Sequence, residues 1–490
     1  MQTAAPYRKA ARVAVFFLLP VVSLQAAYAQ HVWIDPRGEG RVTLTDNANL
    51  TESDRVQDAV LNLSPGINVH VESARTRLAL DYAYDYYYYL SDGGHDVRHK
   101  MFSTLDSEIW KDHLSINGRA SISQQYLNQR GSLSSSFANR TDNRRTLQNY
   151  TGTAILKGGL RDYADWRMTY RYGVSLSPAD NLDDETLTSN FSDSTSQELT
   201  ASLGSGDRFT HFEWRLYADS SKVSRSLETN DFRNEHVGAE LKYKFNRFFS
   251  LLGSVSYSSN DFQSAILSEQ GFGWDAGFRW TPGRKLDLTV RHGREGSRKT
   301  WYATMQYLIT SRVQLTGSYQ DIITANTIVG NDTLQSYQFN DDIGIIDSQG
   351  LPSDESDPKF SFSDIDFRRR VAKMTLSWRH KRTDAYITAN YERRTFDNDS
   401  GTANSYGTST GFKHKINKST TLSGSLGYRR SEFENSDRVD DYFEGNLDWA
   451  KTVSRYFKIA VGYGHSERLS TAQGADIEEN TLTFYIRGTY

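Results

Sequence analysis

The chain has 490 residues, 57 Lys and Arg against 60 Asp and Glu, a net charge of −3 and no cysteine. That balance offers no basic footprint for nucleic acid, and without cysteine neither a disulfide framework nor a thiolate metal site is available. The mean hydropathy of −0.64 is that of a soluble protein, and also of a transmembrane barrel, in which only alternate residues face lipid.

Residues 1–29 read as a secretory signal peptide. Arg8, Lys9 and Arg12 form a basic start, residues 13–22 a short apolar run, and Ala27, Tyr28 and Ala29 a small-x-small cleavage site, so the mature chain begins at Gln30. The apolar run is too short for an anchor, and no later stretch approaches the ~20 apolar residues of a spanning helix. An exported chain of this length without disulfides needs a large core or a closed hydrogen-bonded sheet.

From there to the C-terminus the signal is alternation with period two, the signature of two-faced strands. The first such run lies near residues 41–47. In the stretch 78–89, Leu78, Leu80, Tyr82, Tyr84, Tyr86 and Tyr88 share one face, apolar residues running into an aromatic girdle. Asp81, Asp85, Tyr87 and Tyr89 share the other. A charge on a lipid face costs about 2–4 kcal/mol near the midplane, so the aspartates set the register and look into a lumen. Farther on, Val237, Ala239, Leu241 and Tyr243 oppose Glu240 and Lys242. Ala372, Met374, Leu376 and Trp378 oppose Lys373, Thr375 and Arg379, and Tyr386 falls on the lumen face of the next run. Phe443, Leu447 and Trp449 oppose Glu444 and Asp448; Phe457, Ile459 and Val461 oppose Lys458. The last run, near residues 478–490, sets Leu482, Phe484 and Ile486 against Thr483, Tyr485 and Arg487.

The connectors alternate in length. One set is short: SART, KDH, RDYAD, SGDR, NRF, TPGRK, ITSR, HKRT, NKST and TVSR. The other includes the longer polar stretches RGSLSSSFANRTDNR, SPADNLDDETLTSN and SLETN. Runs of this length, with turns on one side and loops on the other, predict an all-β fold over residues 30–490. It is a single closed antiparallel transmembrane β-barrel of about 22 strands (about 18–22), with short periplasmic turns and longer extracellular loops. Closure follows because an open edge in lipid would leave backbone groups unpaired at several kcal/mol each. A soluble sandwich or β-helix explains the alternation but not the strand length or the connector asymmetry. The lumen is wide enough for water and leaves no residues for a plug domain.

Two stretches carry a family resemblance. RVTLTDNANLT (41–51), followed by VLNLSPGINVHVESARTRLALDYAYDY, and DFRRRVAKMTLSWRHKRTDAYITANYERR (366–394) resemble the outer-membrane porin-type β-barrels of exosortase/PEP-CTERM and related exopolysaccharide gene clusters. The resemblance implies the cell outer membrane, lipid and lipopolysaccharide as surroundings, and a non-enzymatic role in exopolysaccharide export or assembly with the periplasmic machinery. It brings no catalytic residues.

The acidic stretch 326–365 departs from that family. Asp341, Asp342, Asp347, Asp354, Glu355 and Asp357 make it a candidate constriction loop, and lack the D-x-D-x-D-G spacing of a calcium loop. Arg368, Arg369 and Arg370, Arg393 and Arg394, and Arg429 and Arg430 cannot line the pore as units, since strand neighbours point oppositely. They suit lipid phosphates or rim carboxylates. Tyr87, Tyr89, Tyr386 and Tyr485 are placed either to stack on sugar rings or to pack within the lumen. Among the histidines only His95 and His99 share a strand face, and no nucleophile elbow, phosphate loop or other cofactor site is legible. The expectation is a passive export channel. The alternatives are a barrel sheathing a partner protein such as an electron conduit, and an outer-membrane enzyme acting on lipid or peptide.

Overall fold

The computed structural model describes residues 31–489, apart from 127, 135, 178–191, 227–230, 262–269, 297, 341–343, 347–364, 398–400 and 434–435. The expected signal peptide and most of the long loops SPADNLDDETLTSN and SLETN lie outside the described residues.

The strands in chain order are β1 (His31–Thr45), β2 (Asp58–Glu72), β3 (Thr76–Tyr89), β4 (His95–Trp110), β5 (Leu114–Tyr126), β6 (Arg144–Leu160), β7 (Ala164–Leu176) and β8 (Ser194–Ser205). Then come β9 (Phe212–Arg225), β10 (Phe232–Lys244), β11 (Phe249–Asn260), β12 (Gly271–Trp280), β13 (Leu286–Glu295), β14 (Arg298–Thr310) and β15 (Val313–Thr324). A helix α1 (Asn326–Ser336) and a small hairpin β16 (Gln338–Asn340) and β17 (Gly344–Ile346) precede β18 (Phe367–His380). The rest are β19 (Thr383–Phe396), β20 (Thr402–Lys415), β21 (Thr420–Phe433), β22 (Arg438–Thr452), β23 (Phe457–Ser470) and β24 (Ile477–Thr489).

All but β16 and β17 belong to one 22-stranded antiparallel sheet, which β1 closes by pairing with β24 from Arg37↔Thr489 to Thr45↔Thr481. The strand count and closure match the sequence expectation. The first strand starts earlier than expected, at His31, because residues 31–36 pair with β2 beyond the end of β24. The ten short connectors, each two to six residues long, lie at the end where β1 begins and β24 finishes. Connectors at the other end run from two to 42 residues; the shortest, between β13 and β14, has Gly296 at φ +57.

The alternation becomes an inside and an outside. Leu426 on β21 is 64% exposed on the outer face, whereas Ser431, an odd number of positions away, is 2% exposed within. Val42, Leu241, Met374, Ile387, Leu447 and Phe484 continue the exposed apolar outer belt around the barrel. Such a surface is far larger than a soluble protein leaves in water.

The T-D-N stretch that carried the resemblance locks the seam. Asn47 is fully buried; its amide donates to the carbonyls of Thr51 (2.8 Å) and Glu478 (2.9 Å), and its Oδ1 accepts from Thr51 N–H (3.0 Å). Asp46 accepts from the backbone N–H of Asn480 (2.7 Å) and from its side-chain amide (2.8 Å). Thr43 and Thr483 hydroxyls meet across the same seam at 3.2 Å. The polar residues of this motif thus satisfy the ends of the two strands that close the sheet.

Candidate functional site: a charged lumen with an inward-folded constriction

The inner wall is a lattice of charge pairs within strands and across one or more strands. Asp81 pairs with Arg37, and Asp85 with Lys100 at 2.8 Å. Arg487 reaches Glu39 at 2.7 Å, Glu39 also holds Arg41 at 2.5 Å, and Arg41 lies 5.5 Å from the ring centre of Tyr485. Glu240 takes Arg291 at 2.5 Å and Arg215 at 2.8 Å, while Lys242 binds Glu213 at 2.9 Å. Lys373 stands between Ser318 and Asn390, and Lys458 opposite Arg487. Tyr386 lies over Gly411, and Glu444 over Gly427; a Cβ there would meet their side-chain atoms at 2.7 Å and 2.6 Å. Asp448 lies over Gly462 in the same way. Arg379 and Asp384, 3.2 Å apart near the short-turn end, keep 79% and 60% of their side-chain surface in solvent. Each carboxylate beside a cation avoids the cost of an isolated charge at a low-dielectric wall.

Tyr87 and Tyr89 are buried, so they offer no open face to a sugar. Arg98 lies over the Tyr87 ring at 4.3 Å and Arg140 over Tyr89 at 4.1 Å. Cation–π packing therefore takes the faces that sugar stacking would need.

Those two arginines point to what fills the outer half of the lumen. The β5–β6 connector folds inward and crosses to β21–β24. Gln129 donates to Ser431; Arg468 donates to the carbonyls of Gly131 and, at 3.4 Å, Arg130; Arg438 donates to the Arg130 carbonyl at 3.0 Å. Ser134 and Asn139 donate to the buried carboxylate of Glu479, which also accepts from Thr45 at 2.8 Å. Leu133 packs with Tyr126 and Tyr442, and Ala138 with Val60, Tyr87 and Tyr89. Arg140 clamps Asp92 and Asp58, and its bond holds the Asp92 carboxyl below the usual carboxylate range. Burial, and then the neighbouring Arg438, lower the pKa of Arg130.

A second inward element is α1, a helix within the stretch expected from the sequence to be loop. Its residues NTIVGNDTLQS are poor helix formers and Ala325 supplies no side-chain cap. Wall contacts replace propensity: Thr327 meets Ser194 at 2.8 Å, Asn331 donates to Ser196 at 2.7 Å, and Asp332 accepts from Arg171 at 2.6 Å. Arg394 donates to Asn326 at 2.8 Å. Ile328 packs with Val223, Phe232, Ile323 and Ala325, drawing the loop ends of β9–β10 and β15 together. Arg225 and Asp366 form a buried pair at 2.5 Å beside them.

The six acidic candidates for a constriction, Asp341, Asp342, Asp347, Asp354, Glu355 and Asp357, lie outside the described residues. Among the described residues, the inward elements are the β5–β6 connector and α1, the latter from the first part of the acidic stretch 326–365. From the sequence alone RGSLSSSFANRTDNR is expected only as a long loop. Its readable signal was Leu133 and Phe137 set within small polar residues, apolar anchors that a freely solvated loop has no use for.

The arginine clusters divide as strand geometry requires. Arg368 bonds Asp321 at 2.6 Å and Arg370 approaches it at 3.6 Å, while Arg369 between them bonds Glu392 at 2.8 Å. Arg394 shares Glu392 at 2.9 Å, and Arg430 bonds Glu432 at 3.1 Å. These pairings set the arginines against rim and wall carboxylates. His95 and His99 face outward among the girdle tyrosines, with Tyr82 Oη 2.8 Å from His99 Nδ1. Among the described residues, no group of three or more His, Asp or Glu is placed to hold a metal ion.

No family model and no curated protein matches the chain. Among solved structures it is similar to a loop L8 deletion mutant of OmpT, an outer membrane protein of Vibrio cholerae, at 11% identity over 94% of this chain and 99% of that one, with a TM-score of 0.32. It is similar to the ferric-catecholate import receptor Fiu of E. coli in its open form, at 9% identity over 93% and 81%, with a TM-score of 0.49. The siderophore receptor PirA of Acinetobacter baumannii gives 8% identity over 94% and 81%, with a TM-score of 0.48. The likeness is one of fold alone.

Proposed function

We propose that the protein is a non-enzymatic outer-membrane channel, oriented with its short turns in the periplasm and its outer mouth narrowed from within. One observation carries this reading. A continuous apolar outer belt surrounds a wall of paired charges, which is exposed at the turn end and covered at the loop end by the chain's own β5–β6 connector and α1. Apolar outside and charged inside suits lipid around a water-filled path. A constriction built from the chain itself suits selection or gating of a hydrophilic solute.

The resemblance of residues 41–51 and 366–394 to barrels of exopolysaccharide gene clusters supports a polysaccharide as cargo. The charge pairs and half-buried Tyr386 and Tyr485 supply hydrogen-bonding and stacking surface of the kind sugars use. The sheath alternative is less well supported, because the outer half of the lumen is taken up by the chain's own segments. Two measurements test the reading. Purified barrel in a planar bilayer should give discrete conductance steps, and disruption of its gene should lower secreted polysaccharide. Absence of conductance would remove the channel, and unchanged secretion would remove the cargo.

A further inference from the structure

Charge is divided between the two ends of the barrel. The ten short turns carry twelve Lys and Arg against three Asp, and every one of the ten holds at least one Lys or Arg. Among the described residues, the connectors at the opposite end carry thirteen Asp and Glu against three Lys and Arg. A net charge of −3 conceals this separation.

The turn-end cations are interleaved with exposed aromatics. Arg208 stacks over Tyr163 of the neighbouring turn at 4.8 Å and donates to its hydroxyl; Arg247 lies 4.5 Å from the ring centre of Phe248, and Arg455 4.6 Å from that of Tyr456. All three rings are exposed, as are Trp110, Phe212, Trp280 and Phe457 at adjoining strand ends. Two turns even place the cation at a left-handed position, Arg161 at φ +52 and Lys381 at φ +49, where Gly or Asn would be less strained.

We infer that this rim binds the anionic phospholipid headgroups of the leaflet around the turn end. The partner follows from the geometry. A docked protein or a polymer entering the lumen would need cations gathered on one side or pointing inward. Here they circle the whole barrel beside outward aromatic rings, the arrangement that matches a plane of phosphates surrounding it. The acidic opposite end would repel the same headgroups, so the charge separation also favours one orientation across the bilayer.

This inference rests on the membrane-spanning reading proposed above. The test reconstitutes the mature barrel into nanodiscs of equal parts phosphatidylcholine and phosphatidylglycerol, then counts the lipids retained by native mass spectrometry. Wild type should enrich phosphatidylglycerol, and high salt should abolish the enrichment. Each basic residue near an anionic surface is worth about fivefold in partition, so Arg208→Gln/Arg247→Gln/Arg455→Gln should lower the enrichment by at least about tenfold. Arg55→Gln, at the loop end, should leave it unchanged. Heat-dependent migration on SDS gels verifies that the variants fold, and the salt dependence of wild type stands independently of them. Equal retention of both lipids by wild type, or undiminished enrichment in the triple variant, would overturn the inference while leaving the channel reading intact. Enrichment retained alongside lost binding of soluble polyglutamate would overturn it in favour of an acidic macromolecular partner. A barrel that never enters the bilayer would overturn both readings.

Discussion

Truncating Glu479 to alanine should unfasten the constriction. Its carboxylate is 1% exposed and accepts from Thr45 (2.8 Å), Ser134 and Asn139 (3.3 Å), so two of its three donors belong to the inward-folded connector. A hydrogen bond to a charged group contributes about 1.5–3 kcal/mol net. The longer Asn139 bond counts for less, and removing a buried carboxylate returns part of the cost of holding it out of water. The tether lost is therefore about 2–4 kcal/mol, a factor of about 30 to 1,000 in the local opening equilibrium. Gln129, Arg438 and Arg468 still anchor the connector. The expected phenotype is thus frequent brief openings to a larger conductance rather than a permanently open pore. Single-channel recording reads this directly, and tryptic cleavage after Arg130 or Arg140 should accelerate in parallel. The control is the adjacent Glu478→Ala. That side chain pairs with Arg55 in solvent and touches neither Ser134 nor Asn139. If Glu479→Ala records like wild type, or Glu478→Ala opens the channel equally, the connector is not the constriction.

Three further outcomes follow from the same structure. Leu426→Arg puts a charge on the outer belt and should cost about 2–4 kcal/mol in urea-monitored folding into vesicles, whereas Ser425→Arg, one residue away on the wet face, should cost under about 1 kcal/mol; equal costs would mean the faces are misassigned. Asn47→Ala removes the buried amide that joins β1 to β24 and leaves its carbonyl partners unpaired, so it should destabilise the barrel by about 1–3 kcal/mol, read as a lower temperature for the gel-mobility shift. For the Asp92–Arg140 clamp, the folded carboxyl is depressed below its ordinary 3.8, so its stabilisation is present above that value and lost as pH falls through the depressed one. Acidification should therefore raise opening frequency, and Asp92→Asn should remove that step from the pH profile.

Alternation and connector length along the chain were enough to predict a closed antiparallel sheet of about 22 strands, within a range of about 18–22, with the short turns gathered at one end. Side chains of a strand can only alternate, and a charge such as Asp81 or Glu240 can only face water or a partner, so local order dictates inside and outside. The resemblance at residues 41–51 marked a real device, but its work emerged only when Asn47 was seen to bind Glu478, 431 positions later in the chain.

The contents of the lumen were decided by tertiary structure alone. Helix α1 has neither propensity nor cap and exists because Ser194, Ser196, Arg171 and Arg394 receive its polar side chains. The β5–β6 connector turns inward because partners on β21–β24, more than three hundred residues away in sequence, satisfy its Gln129, Ser134 and Asn139. Tyr87 and Tyr89 were legible as inward-facing but not as covered, since the arginines that cap them arrive from β4 and from that same connector. Periodicity records the direction of each side chain at its own position, whereas a constriction depends on which distant groups closure of the barrel brings within bonding distance.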